Sequence, residues 1–403
     1  MVNCRFPDAI RTTMTRLTVL ALLASTIGAH PIAGQSTLDK VPKRPRLPAE
    51  ADTNSAMAYY AYGVTALTRD PEKAAASFYW ASRLEPSWAA PLYGRYSAEL
   101  LARPNPVLTD YLIRRKFARR NQLLQRIDSV AYLALIKNPF VDRRFDGVVL
   151  ATWLERVTGG AAQLRDLGMY DRRWTAWAAL ARGDFKMAIE VFDEVIKKRP
   201  DEPDLRFWRA HAFFGLGQMD SARASVQSAL GFTRTVEADL PGVGWVSHTF
   251  AEYCVGFLFE LAGQPDSARA AYERALLDDL TFHPAHRQLA KVRLGLRDTA
   301  GALAEFREAA TLAPGDGSYL YDLGMLLTVT GRADSGMATL LRVAAAEPYY
   351  PLPHYTLGLL YQHGGFAREA AEHYTTFLRL APRSMAPAIA AARERLAALE
   401  GKP

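Results

Sequence analysis

Apolar and small positions recur at helical spacing in short stretches, and the stretches themselves recur. Pro314, Pro348 and Pro382 stand at intervals of 34 residues. Each closes a similar unit of two helical stretches with small residues at fixed offsets. A helix pair of that length cannot bury its apolar face alone and must stack on copies of itself. The expected fold class is therefore all-α, an array of stacked helix–turn–helix units. That architecture removes most enzyme folds from consideration and leaves the function open.

The clearest unit reads Tyr355-Thr356-Leu357-Gly358-Leu359-Leu360-Tyr361, then Gly365, then Ala370 and Tyr374, then Pro382. Gly358 lacks a Cβ, so the second helix can press on the first at close range. Ala370 serves the same approach from the other side. Gly365 turns the chain, and Pro382 forbids further helix. The preceding unit carries Leu323-Gly324, Leu327, Gly331 and Pro348, with Gly336 and Leu340 in place of alanine and the aromatic. Before it come Ala290, Ala302, Phe306, Ala309 and Pro314; then Gly256, Phe259, Gly263, Ala268, Tyr272 and Ala275, with Leu280 where proline is expected.

This pattern of Leu-Gly-x-x-Tyr, Gly, Ala-x-x-x-Phe and Pro resembles the tetratricopeptide repeat. Looser units follow upstream at Ala210 to Ala229, Ala176 to Pro200 and Gly63 to Pro86, seven in all. The resemblance covers most of the chain from about residue 52 to 400. It implies a right-handed α-solenoid that binds proteins. After the last unit, Met385, Ile389, Ala392, Leu396 and Leu399 share one face of a lone helix from Ser384 to Leu399, read as the cap that solenoids require.

The organisation read from these marks is a signal segment at 1–34, a proline-rich linker at 35–51 and one unit at 52–86. An irregular enlarged unit follows at 87–168, then about six units at 169–382 and the cap at 383–403. The signal segment has Arg5, Arg11 and Arg16, an apolar run from Leu17 to Gly28, and small residues after it. A start at Met14 would give a tidier signal. The run is short for a spanning helix, which needs roughly 20 residues. An exported protein, periplasmic or secreted, is the expectation, with an uncleaved anchor as the alternative. Of two cysteines, Cys4 lies in the signal segment and Cys254 in a first helix, where a buried apolar role is expected.

Charge changes the picture in one place. The chain carries a net +7, and residues 103–146 hold ten Lys/Arg against four Asp/Glu. A long helix, roughly Thr109 to Lys137, bears Arg114, Arg115, Lys116, Arg119, Arg120 and Arg126 on the face opposite its apolar stripe. Two readings stand: a solvated face, or a dock for an acidic protein or anionic lipid. Nucleic acid is not expected, because no aromatics interleave these arginines. A second break, Gly231 to His248, reads as a linker with Trp245 among glycines, either a lid or filler.

First helices of stacked pairs line the concave side of such an array. The stripe so defined runs through Tyr170, Arg173 and Trp177, then Phe207, His211 and Phe214, then Tyr253 and Phe257, then Arg287 and Lys291. It continues through Tyr321 and Met325 to Tyr355 and Gln362. Aromatics and arginine anchor interfaces, so the stripe reads as a groove for a peptide or partner segment. Some of these residues would instead close against neighbouring units. Arg287 and Lys291 resemble the basic half of a carboxylate clamp known in the family, yet Phe257 and His211 stand where its asparagines belong.

Catalytic signatures are lacking: no G-x-S-x-G, P-loop, C-x-x-C or H-E-x-x-H occurs. His283 and His286 are close in sequence, but no metal or cofactor is expected. The sequence thus points to a non-catalytic interaction scaffold in the cell envelope or outside the cell. An envelope enzyme using Glu260, His211 and Tyr253, or a glycan binder, is the alternative.

Overall fold

The computed structural model describes residues 41–102, 122–158, 172–239 and 247–400. The signal segment, the start of the linker, Arg114, Arg115, Lys116, Arg119, Arg120, Tyr170 and Trp245 lie outside these residues. Eighteen α-helices and no strand occur among the described residues. They are α1 (Ala56–Ala66), α2 (Pro71–Leu84), α3 (Ala89–Leu101), α4 (Gln122–Lys137) and α5 (Arg144–Thr158). Six helix pairs follow: α6 (Arg172–Ala181) with α7 (Phe185–Lys198), α8 (Pro203–Gly215) with α9 (Met219–Asp239), and α10 (His248–Leu261) with α11 (Pro265–Asp278). The last three are α12 (His283–Gly295) with α13 (Thr299–Leu312), α14 (Gly317–Val329) with α15 (Ala333–Ala346), and α16 (Pro351–His363) with α17 (Ala367–Leu380). A 3₁₀ turn (Arg383–Met385) leads into α18 (Ala386–Glu400).

The turn inside each pair follows one rule. Gly183, Gly217, Gly263, Gly331 and Gly365 all take positive φ, between 68° and 81°. The next amide then reaches back to the helix end, as Asp184 N does to Ala179 O at 2.9 Å and Phe366 N to Tyr361 O at 2.9 Å. Such left-handed closures satisfy carbonyls that the helix leaves open. In the α12–α13 pair the slot holds Arg297, the one non-glycine residue with positive φ among the described residues, at 64°. Second helices start on acidic caps in two pairs, Asp184 accepting from Met187 N and Asp298 from Gly301 N at 2.8 Å.

In two of the six pairs the helices touch through a ring set against a glycine. A Cβ on Gly358 would lie 2.6 Å from the Tyr374 ring, and one on Gly256 2.5 Å from Tyr272. Ala268, Ala370, Tyr272 and Tyr374 are fully buried. Where Leu340 replaces the aromatic, the approach to Gly324 relaxes to 3.0 Å. Each buried ring keeps its hydroxyl bonded twelve residues back, Tyr272 to Glu260 at 2.8 Å and Tyr374 to Gln362 at 2.7 Å.

Three features differ from the sequence reading. The stretch from Gly231, read as linker, continues α9 as far as Asp239, so one glycine does not end that helix. Residues 41–50, read as free linker, pack on the repeats: Trp80 Nε1 donates to Pro42 O at 3.0 Å, and the Arg44 guanidinium lies 5.0 Å from the Trp80 ring. The chain's early and late helices also meet. Arg83 pairs with Glu347 at 2.8 Å, Trp80 meets Tyr349 edge-on at 4.8 Å, and Asn54 donates to Arg379 O at 2.7 Å. Asp52 accepts from Arg383 N at 2.6 Å. All of this belongs to the compact unit Val41–Pro403. The cap packs as its stripe requires, Met385, Ile389, Leu396 and Leu399 closing over Tyr374 and Phe377.

A left-handed arginine costs roughly 1–2 kcal/mol, and glycine returns roughly 0.5–1 kcal/mol of that to the unfolded chain. Arg297→Gly is therefore expected to stabilise the protein by roughly 0.5–1 kcal/mol in a urea titration. Gly358→Ala forces a methyl into the Tyr374 ring and is expected to destabilise by roughly 1–3 kcal/mol in the same measurement.

Candidate functional site

The described stripe residues sit on first helices, but much of the stripe is covered by the chain itself. Helix α4 ends at Lys137, and the turn after it carries Asn138, Pro139 and Phe140 across the first helices α8, α10 and α14. The Tyr253 hydroxyl, on α10 and 1% exposed, donates to Ile136 O at 2.6 Å. Phe140 stacks on Phe214 at 4.8 Å and an interplanar angle of 16°, with Phe257 at 6.2 Å and His211 at 5.0 Å. Lys137 Nζ pairs with Asp316 Oδ2 at 2.5 Å and bonds Ser318 Oγ at 3.2 Å. Arg143 closes the far end, its guanidinium 3.6 Å from the centre of the Trp208 ring. Its Nε also donates to Tyr93 Oη at 3.0 Å and Asp146 Oδ2 at 2.9 Å.

Other stripe members have partners on neighbouring units, within their own pair or on the cap. Arg173 pairs with Glu202 at 3.2 Å, Trp177 lies 4.2 Å from Trp208, and buried Phe207 faces Phe250 at 6.2 Å. Tyr321 meets Tyr350 edge-on, Met325 Sδ accepts from Thr356 Oγ1 at 3.7 Å, and Tyr355 packs on Phe377. Gln362 accepts from Tyr374 and from Arg395 of the cap at 3.3 Å. Glu260, a candidate for chemistry, is the matching acceptor for Tyr272. Tyr321, Met325, Tyr355 and Gln362 remain half-buried, a partly open continuation of the stripe beyond the covered stretch.

Arg287 and Lys291 do not act alike. Arg287 is 9% exposed, pairs with Asp322 at 2.7 Å and lies 5.0 Å from the Tyr319 ring. Burial opposes its charge, but Asp322 and Tyr319 outweigh burial and raise its pKa. Lys291 stays exposed to solvent while surrounded by the groove walls. Burial and then the Arg287 charge push its ammonium down to about 8. Of the two residues that resemble the clamp's basic half, Arg287 is held by Asp322, and Lys291 has no ion-pair partner among the described residues.

His283 and His286 diverge. His283 Nδ1 shares a hydrogen bond with the Tyr319 hydroxyl at 3.0 Å, whereas His286 bonds Glu305 at 2.6 Å and Leu280 O at 3.0 Å. No group of three metal-ligating side chains occurs among the described residues. Cys254 is buried, and burial raises its thiol pKa well above the usual range. Arg126 lies on α4, and Arg114, Arg115, Lys116, Arg119 and Arg120 fall outside the described residues. Sequence reasoning missed Trp208, Asp316, Asp322 and the whole covering turn. The available signal was the break in the repeat pattern around this stretch, which marks it as different without saying where it packs.

Burial holds several histidines neutral. His283 is pushed down to about 4, mainly by burial, and His211 well below its usual value by burial and then Arg143. A neutral imidazole in the fold gives stability that is present above the unfolded value of 6.5. That stability is lost as pH falls towards the folded value. His283 alone accounts for roughly 3 kcal/mol across pH 6.5 to 4 at one pKa unit per 1.36 kcal/mol. Glu347 works the other way. Burial, opposed by Arg83, raises it to about 7, so its contribution is present below about 4.5 and lost as pH rises through 7. His283→Gln is expected to flatten the fall in unfolding free energy between pH 6.5 and 4, read by urea titration at each pH.

A tetratricopeptide repeat model matches residues 175–236, 262–316 and 287–351. No curated protein matches the sequence significantly. Among solved structures, YrrB, described as a TPR protein with an unusual peptide-binding site, is 18% identical. The alignment covers 51% of this chain and 100% of that one, with a TM-score of 0.41. The C-terminal part of a TPR repeat-containing protein from Cytophaga hutchinsonii is 16% identical over 57% of this chain and 84% of that one, with a TM-score of 0.45. MamA from Desulfovibrio magneticus is 18% identical over 45% and 96%, with a TM-score of 0.38. The matched segments, less than half of the chain, carry the pairs α12–α13 and α14–α15 whole and most of α6–α7 and α8–α9, with the turn glycines Gly183, Gly217, Gly263 and Gly331; this part of the chain is a tetratricopeptide repeat array.

Proposed function

We propose that the protein is a non-catalytic interaction scaffold whose first-helix groove holds a segment of a protein partner. One observation carries this reading: the groove already holds a segment of polypeptide, residues 136–143, through a hydroxyl on its main chain, an aromatic box and an ion pair. A surface that binds main chain and side chains together has the chemistry that peptide recognition needs. The part left to a partner runs from Lys291 through Tyr321 and Met325 to Tyr355, where aromatic and thioether surface stands beside a cation. Met suits this role because its flexible side chain adapts to different shapes. The basic, apolar and small residues of segment 1–34 support action in the cell envelope or outside the cell.

Placing a photoreactive residue at Met325 tests the reading. Irradiation in cells of the native host is expected to give a discrete protein adduct. The same probe at Leu277, which is 83% exposed on the second helix α11, is expected to give none. Equal adducts at both positions, or none at Met325, would overturn it.

A further inference from the structure

We infer that residues Ile136–Arg143 are a built-in, displaceable occupant of the groove, and that the partner segment shares their chemistry: an aromatic residue with a cation three residues to either side. The inference rests on the groove being the docking surface and adds what that surface selects.

Three features mark the segment as ligand rather than repeat. It lies outside the six regular helix pairs: Ile136 and Lys137 end α4, which packs on α3, and the remaining residues form the link to α5. Its contacts reach residues far along the chain: Ile136 to Tyr253, and Lys137 to Asp316 and Ser318. They are also directional. A tyrosine hydroxyl holds a backbone carbonyl, which fixes where the segment lies without depending on its side chains. Asp316 selects a cation at the first position, and the Tyr319 ring 5.8 Å from Lys137 Nζ adds to that preference. Phe214, Phe257 and His211 form the aromatic slot at the middle position. Trp208 offers its face to the guanidinium at the third.

The receiving groups have anchors besides the segment. Asp316 caps α14, accepting from Ser318 N at 2.9 Å. Tyr253 also packs on Tyr272 and Phe282, and Trp208 on Trp177. Burial works against the Asp316 charge, and Lys137 and Ser318 outweigh it, holding its carboxyl below the usual range. Removing the segment therefore leaves a carboxylate in want of a cation, beside an empty aromatic slot. A partner with the same spacing satisfies both. The tethered segment competes at an effective concentration on the order of millimolar, so the partner must bind tightly or be presented locally.

The test uses the peptide Ile-Lys-Asn-Pro-Phe-Val-Asp-Arg-Arg, which copies residues 136–144. Labelled peptide is titrated by fluorescence anisotropy into the full chain and into the Lys137→Ala/Phe140→Ala chain. The double variant is expected to bind at least about tenfold more tightly than the wild-type chain, and Asp316→Asn in that background to weaken binding about tenfold. A peptide with alanine for phenylalanine should not bind.

A second measurement needs no variant. Unlabelled peptide at millimolar concentration is expected to speed amide exchange at residues 140–143 of the wild-type chain, read by mass spectrometry. Unchanged exchange there overturns the proposal, as does a folded double variant that binds peptide no better than wild type. A specific adduct at Met325 together with unchanged exchange would leave the scaffold reading standing and remove this one.

Discussion

Everything in the array depends on how closely two helices of a pair can approach. In the α10–α11 and α16–α17 pairs the spacing is set by an aromatic ring lying where a Cβ would be on the facing helix, Tyr272 over Gly256 and Tyr374 over Gly358. A ring in that position buries a large apolar area in one contact, so a single residue fixes both the separation and the rotation of the pair. Small residues on the second helix, Ala268 and Ala370, let the backbone close around it. The ring's hydroxyl cannot be left without a partner, and the chain supplies Glu260 or Gln362 from the first helix. Two residues that face the groove are therefore committed to the pairing contact beneath them.

The groove follows from that geometry. With the second helices taken up by pairing, the first helices present their remaining faces to one side. The chain then sends a segment of its own across them. The outcome separates two stretches of what looks in sequence like one stripe. His211, Phe214, Tyr253 and Phe257 are engaged by residues 136–143, while Lys291, Tyr321 and Met325 remain accessible. Electrostatics accompany this division: Arg287 and Lys137 are matched by Asp322 and Asp316, and Lys291 is left as the exposed cation beside Arg287.

The repeats were legible because their signals are local. Glycine at Gly183, Gly217, Gly263, Gly331 and Gly365 marks a left-handed turn that few other residues accept, and Pro314, Pro348 and Pro382 each stand just beyond a helix end. Met385 to Leu399 announced the cap by spacing alone. What was not legible was long-range. Nothing in the spacing of Phe140 says that it will meet Phe214, and Asp316 reads as an ordinary cap until Lys137 arrives from the other half of the chain. Arg297 shows the same limit in reverse: a turn can persist without its glycine when the helices on both sides hold it. Gly231 shows that a glycine inside a good helix does not end it.

The meeting of early and late helices, through Arg83 with Glu347 and Asp52 with Arg383, has a thermodynamic meaning of its own. In a linear row of repeats each unit is stabilised by its neighbours, so the outermost units have one neighbour fewer and melt first. Here the first pair gains contacts from the last two, and neither end of the row is left with a bare side. Fraying, the cheapest route by which such proteins open, then demands the loss of two interfaces at once. The row is expected to melt as one body, with its least stable parts moved from its ends to its interior.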